Sequence, residues 1–135
     1  MIEKNNTNID ASLWNAYANS FFRFETKWNV LTYVVITAWN PYSNLLSKED
    51  NCIINQKLER RLKHVNHVPV TVGDSTFEWY EESFAAQISI EDAIALANEF
   101  QQNAIYYVSH GDLYLIACSD LSNRHKVAKM SERLV

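Results

Sequence analysis

The eight residues Leu31 to Ala38 limit most strongly what this chain can become. They read LTYVVITA, rich in β-branched side chains that suit a pleated, buried surface, and they end at Trp39-Asn40-Pro41. Proline cannot donate to a ladder, and it drives the preceding Asn40 out of right-handed helical geometry. A central strand that stops in a polar loop is the expectation.

The flanking segments supply its partners. Asp10 reads as an N-cap for a short helix carrying Leu13, Trp14 and Tyr17 on one side. Phe22-Arg23-Phe24-Glu25 alternates apolar and charged residues, which predicts a half-buried strand hairpinned with Leu31–Ala38. Ser47 and Asp50 make a capping pattern for a helix over about Glu49 to His64. Val68 to Val72 reads as a short strand whose Pro69 suggests an edge. Gly73-Asp74 marks a turn, and Phe77 to Ile88 reads as the next strand. Ser89 with Asp92 repeats the capping pattern for a helix to about Gln101, with Ala93, Leu96, Ala97 and Phe100 on one stripe. Ile105–Val108 and Leu113–Cys118 are strands joined by a tight turn at His110-Gly111. The order α-ββ-α-ββ-α-ββ-tail predicts an α+β domain: a mainly antiparallel sheet from three hairpins, with helices packed on one face. Residues 1–9 are expected to be a flexible tail, 10–118 the domain, and 119–135 a tail or a short helix bearing Val127, Met130 and Leu134.

The bulk numbers exclude several functions. A chain of 135 residues is one domain, and its 47% hydrophobic and 21% charged content is that of a globular protein. The net charge of -4 argues against general nucleic-acid binding, whose affinity comes largely from phosphate neutralisation. Two glycines leave no Gly-rich phosphate loop. Cys52 and Cys118 form no disulfide framework. The first ten residues lack the apolar core of a signal peptide, and the apolar stretch around Val34 to Ala38 is too short to span a bilayer. A cytoplasmic protein without membrane association is expected.

The helix after the loop carries the most informative pattern. At 100° per residue, Asn51, Asn55, Leu58, Leu62 and Val65 share a stripe with Ile54 beside them. The leucines must face the core, so the two asparagines should face inward too. A buried amide without a partner costs roughly 1–3 kcal/mol, so polar groups should lie opposite. Asn40 and Glu81 are the candidates, Glu81 on a strand face shared with Phe77 and Trp79. A ligand pocket of Trp39, Asn40, Asn51, Asn55 and Glu81 is one reading. The other is structural: Asn40 capping the Pro41 turn, Asn51 satisfying amides at a helix start, and Glu81 pairing with Arg23 or Lys27 across the sheet.

Trp39-Asn40-Pro41, Asn51 and Asn55, Glu81 with Ser83-Phe84, and Gln102-Asn103-Ala104 recur in an order and spacing that resemble a family of small bacterial proteins, the domain of unknown function 3293. The likeness runs from about Thr37 to Cys118. Glu82 stands where that pattern has proline after the glutamate. The resemblance implies a cytoplasmic bacterial protein of similar fold and adds Gln102 to the candidate ligand-binding residues. It implies no activity.

Other signals are weaker. His64 and His67, near Glu59, fall short of the three or four ligands a zinc site wants, so no metal and no cofactor are expected. No nucleophile signature surrounds either cysteine or any serine. Glu81 and Glu82 are neighbours on a strand and point to opposite faces, so they form no dyad. Lys57, Arg60, Arg61 and Lys63, with Arg124, Lys126, Lys129 and Arg133, are potential phosphate contacts, though a solvated face is the commoner meaning. The leading expectation is a non-enzymatic binding or interaction protein with another protein as partner. The alternatives are a small enzyme or ligand-binding domain using the Asn/Glu pocket, with Glu81 as general base, and nucleic-acid binding through the basic helix face and tail.

Overall fold

The structure, a computed structural model, describes residues 9–135. The flexible tail expected over 1–9 therefore lies, Ile9 excepted, outside the described residues. Along the chain come α1 (Ala11–Ala18), β1 (Phe21–Phe24), β2 (Thr32–Ile36), α2 (Lys48–Arg61), β3 (His67–Gly73), β4 (Tyr80–Ala86), α3 (Ile90–Glu99), β5 (Ala104–Ser109), β6 (Asp112–Ala117) and β7 (Arg124–Lys129). Short 3-10 turns occupy Pro41–Ser43 and Met130–Glu132. The strands form one antiparallel sheet in the order β1-β3-β4-β2-β5-β6-β7. The α+β class with a mainly antiparallel sheet is what forms.

The sheet is curled. The chain leaves β7 at one edge and, five residues on, Leu134 bridges Phe22 of β1 at the other. Phe22 N–H donates to Arg133 C=O at 2.7 Å, and Val135 N–H donates to Phe22 C=O at 3.0 Å. A flat sheet of seven strands would put its edge strands about 29 Å apart. Five residues reach about 18 Å at most. Only curvature brings the edges within that span.

Alternation along each strand then sorts the core into two layers. Tyr33, Val35, Val70, Val72, Tyr106 and Leu115 fill the concave side, where Trp14 and Tyr17 of α1 pack against them. Val34, Ile36, Phe84, Ile105 and Ile116 face the convex side beneath Leu58 and Leu62 from α2 and Ala93, Ile94 and Ala97 from α3. Helices α2 and α3 thus share one face as expected. Helix α1 departs from the expectation and covers the concave layer, because its Trp14–Tyr17 side is the apolar surface available to that layer.

The predicted caps form. Asp10 accepts from Ser12 N–H and Leu13 N–H, Ser47 Oγ from Asp50 N–H at 3.1 Å, and Ser89 Oγ from Asp92 N–H at 3.0 Å. Ser89→Ala should destabilise the protein by about 1 kcal/mol, measured by urea denaturation, since it orphans an amide at the start of the helix that covers the convex core. The β5–β6 hairpin turns at His110-Gly111, both with positive φ (50° and 86°), as a two-residue type I′ turn requires.

Four further expectations need correction. β1 and β2 form no hairpin: β1 pairs with β3, and β2 lies between β4 and β5. Residues 33–36 of β2 are all buried, so this strand is covered on both faces and needs two neighbours, whereas the alternating β1 suits an edge. Pro69 is not on an edge strand, but β1 stops at the Phe24–Val70 pair, so the missing N–H of Pro69 lies just beyond the ladder. The strand expected from Phe77 begins only at Tyr80, because Phe77 takes φ 57° in a turn where Asp74 accepts from Thr76 N–H and Glu78 N–H. Residues 119–135 are not a tail, and their only helical turn is the single 3-10 turn at Met130–Glu132. They supply the seventh strand, whose exposed Arg124, Lys126 and Lys129 mark a charged edge of the kind that discourages edge-to-edge pairing.

Candidate functional site

Strand β2 ends by feeding Asn40 into the left-handed region (φ 49°, ψ 65°), which asparagine tolerates better than most residues. The residue leaves right-handed helical geometry as Pro41 demands, yet it turns left-handed instead of extended. Tyr42 and Ser43 follow with φ of 51° and 64°. Tyr42 N–H donates to Gln101 C=O at 2.7 Å, and Ser43 N–H donates to Asn40 C=O at 2.7 Å, which pins the loop.

The first turns of α2 lock this loop from below. Asn51 is 1% exposed. Its Oδ1 accepts from Asn40 N–H at 2.8 Å, and its Nδ2 donates to Asn40 Oδ1 at 2.9 Å. Asn40 Oδ1 also accepts from Leu46 N–H at 3.0 Å. One turn on, Asn55 Oδ1 accepts from Ala38 N–H at 3.0 Å, while its Nδ2 donates to Glu82 C=O at 3.2 Å. Both asparagines satisfy backbone that the end of β2 would otherwise leave unpaired. Gln102, buried as well, donates to Trp39 C=O at 3.1 Å and to Phe100 C=O at 3.2 Å. The Trp39 ring lies 5.7 Å from that of Tyr80, and its buried Nε1 has no partner among the described residues.

Asn40 then passes the network to Glu81, donating from Nδ2 to Glu81 Oε2 at 2.8 Å. Register pairs Glu81 with Val72 and Ser83 with Val70, so Glu81 points into the concave side of the sheet. Glu82 points the other way, where it accepts from Thr71 Oγ1 at 2.6 Å. Neither Arg23 nor Lys27 reaches Glu81. Arg23 lies over the Phe77 ring instead, 4.0 Å from its centroid.

Glu81 stands between two spaces. On one side is an internal cavity of about 30 Å³ whose lining includes Thr37, Val72, Ser83, Gln102 and Tyr106, roomy enough for an ordered water. On the other is a surface cleft of about 230 Å³ between α1 and the loop after β2, walled by Leu13, Tyr17, Asn40, Ser43, Leu45 and Trp79. Tyr17, Trp79 and Glu81 border both. Burial pushes the Glu81 carboxyl up to about 7, against the opposing hydrogen bond from Asn40. Across the cleft, Tyr17 Oη and Ser43 Oγ are 3.0 Å apart, and Asn103 Nδ2 donates to both, at 3.4 and 3.2 Å.

The structure therefore brings Asn40, Asn51 and Glu81 into one hydrogen-bonded chain, with Asn55, Gln102 and Trp39 beside it. Of the six candidates, Asn40 and Glu81 reach the cleft. The others support the loop and the end of β2. Tyr17, Ser43, Leu45 and Trp79 are cleft residues that sequence reasoning did not place there. Only the stripe of α1 and the proximity of Trp79 to Glu81 hinted at two of them. On the convex side, Lys57, Arg60, Arg61 and Lys63 are exposed, and Arg61 is paired with Glu99. His67 contacts Glu59, and no group of three potential metal ligands exists among the described residues. No described helix is long and apolar enough to cross a membrane.

No curated protein and no solved structure matches the chain. Residues 36–105, from the end of β2 to the start of β5, match the family described as "Protein of unknown function (DUF3293)". That segment covers just over half of the 135 residues and contains Asn40, Asn51, Asn55, Glu81 and Gln102, the residues that carried the resemblance. The chain belongs to this family.

Proposed function

We propose that the chain is a small-molecule-binding domain of a bacterial cytoplasm, its ligand entering the cleft beside α1 and hydrogen-bonding Glu81. One observation carries this reading: a carboxyl group with a raised pKa is held by Asn40 at the floor of a concave opening. Perturbed carboxyl groups in clefts mark functional sites more often than ordinary surfaces do. Among the described residues Glu81 Oε1 accepts no hydrogen bond, which leaves an acceptor for a ligand. The free thiols Cys52 and Cys118 accord with a reducing compartment.

The test is a small-fragment screen followed by amide NMR, on the parent and on Ala16→Trp. Ala16 is exposed and borders the cleft, so the indole should fill it without disturbing the core. Hits should shift the amides of Tyr17, Ser43, Trp79 and Glu81 and lose at least about tenfold in affinity in the variant, as the removal of ligand contact area implies. Hits that cluster elsewhere, or that bind the variant equally well, defeat the proposal.

A protein partner at the same rim is the second reading. Tyr42 and Leu45, at 56% and 81% exposure, stand with Leu46 on the loop above the cleft. Apolar side chains grouped at one rim favour a contact surface. In that case Leu45→Asp, and not Ala16→Trp, should abolish complex formation.

A further inference from the structure

We propose that the cleft selects a small organic cation, an alkylammonium group seated against Glu81 between Tyr17 and Trp79. The inference rests on the ligand-binding reading of the cleft and adds the chemical class. The wall residues are Leu13, Ala16, Tyr17, Leu45 and Trp79, apolar or aromatic, with Asn40 and Ser43 as the neutral polar members. Among the described residues of the wall, Glu81 is the only acidic or basic side chain.

Among the described residues Glu81 Oε1 is the carboxylate oxygen in the cleft that no donor occupies. Asn40 turns Nδ2 toward Glu81 and keeps Oδ1 occupied by Leu46 N–H and Asn51 Nδ2. The Tyr17 and Ser43 oxygens face each other and both accept from Asn103. An anionic ligand would meet a carboxylate with no basic side chain among the described wall residues to offset it. An ammonium group would meet a carboxylate oxygen, Oε1, that lacks a partner among the described residues, beside two aromatic rings whose faces attract cations. A charge-assisted hydrogen bond in such a partly dry place is about twice as strong as a neutral one. The alkyl part of the ligand would lie against Leu13 and Leu45.

Burial works in the same direction. Burial raises the Glu81 pKa, no cationic side chain among the described cleft residues offsets it, and an ammonium ligand would supply that charge. Binding is therefore coupled to loss of the Glu81 proton.

The experiment is an amide NMR titration of the full chain with three isosteric probes: n-butylammonium, n-butanol and n-butyrate. At pH 8.5, n-butylammonium should shift the cleft amides of Tyr17, Ser43, Trp79 and Glu81 at concentrations about tenfold below those at which n-butanol acts, with n-butyrate inert. The ammonium advantage should shrink at pH 5.5, where Glu81 is protonated, and vanish in Glu81→Gln. Equal or better binding of n-butanol or n-butyrate overturns the cation assignment while leaving the cleft a ligand site. No shift with any probe overturns it as well, and the fragment screen with Ala16→Trp then decides the cleft itself. Retention of the ammonium advantage in Glu81→Gln, with the variant folded by its amide spectrum, also overturns it.

Discussion

Asn51→Ala is expected to lower the stability of the protein by about 3 kcal/mol, a fall of about 10 °C in Tm for a domain of this size. The truncation removes the Oδ1 that accepts from Asn40 N–H, and the Nδ2 that donates to Asn40 Oδ1 and, at 3.4 Å, to Leu46 C=O. The Asn40 N–H would then be left without an acceptor in a place from which water is excluded. A stranded buried donor costs about 1–3 kcal/mol, and the lost side-chain bonds add to it. The effect should propagate. Asn40 would lose both the group that fixes its left-handed backbone and one of the two donors that hold its Oδ1, so its bond to Glu81 should loosen too. Urea denaturation gives the first number. The second readout is the amide shifts of Leu46 and Glu81, which should move in Asn51→Ala and stay in place in a surface variant such as Gln56→Ala. A loss under 1 kcal/mol would mean that the network follows the fold without helping to hold it.

That network was legible in the sequence because helical periodicity is rigid over four turns. Leu58 and Leu62 fix the inward side of α2, and Asn51 and Asn55 then have no choice but to point the same way. All four are buried. Once two amides are known to be inside, the cost of leaving them unpaired demands polar partners, and the end of β2 supplies them. Glu81 was legible for a related reason, as a carboxylate on a strand face otherwise apolar. The walls of the cleft were not. Tyr17, Ser43 and Trp79 come from a helix, a loop and a turn, brought together by the curl of the sheet. The curl brings Leu134 to Phe22, a pairing between chain segments more than one hundred residues apart. No local period encodes such a closure.

The missed hairpin shows the same division. The sequence of β1 declares an amphipathic strand and that of β2 a buried one, both correctly. Which strand lies beside which depends on competition among all the edges of the sheet. A strand with two apolar faces is best placed where neighbours cover both, so β2 takes the centre, and the nearer partner in sequence is passed over. The basic residues of the final segment likewise suggest a solvated tail until a sheet edge is known to be there. Once it is, the same charges protect that edge.

Glu81→Gln should remove a pH dependence of stability that the parent protein shows between about pH 4.5 and 8. The carboxyl has an ordinary value of 4.5 and is raised to about 7 in the fold, chiefly by burial. Folded protein therefore holds the proton over a range in which unfolded chain has released it. The contribution of Glu81 to stability is fully present below pH 4.5 and is lost as pH rises through 7, because the folded state binds more protons across that window. At 1.36 kcal/mol for each pH unit the limiting loss is about 3 kcal/mol, and partial solvent contact at the cleft should bring it to about 2 kcal/mol. The amide of Gln accepts from Asn40 Nδ2 as the carboxyl does and carries no charge to desolvate. The variant should therefore match the parent near pH 4.5 and exceed it by about 2 kcal/mol at pH 8. Asp10, whose pKa is lowered by hydrogen bonds from the side chain and backbone of Ser12 and from Leu13 N–H, contributes with the opposite sign and only below this window. Taking the difference between the two proteins cancels every other titrating group. Urea denaturation at half-unit pH steps measures it. A variant that is less stable than the parent at pH 8 would mean that the Glu81 charge is satisfied within the fold, and the cleft would lose its unpaired carboxylate. A variant that gains stability there while losing the alkylammonium preference would show a side chain kept at a cost to the fold, as expected of a group whose counter-charge arrives with the ligand.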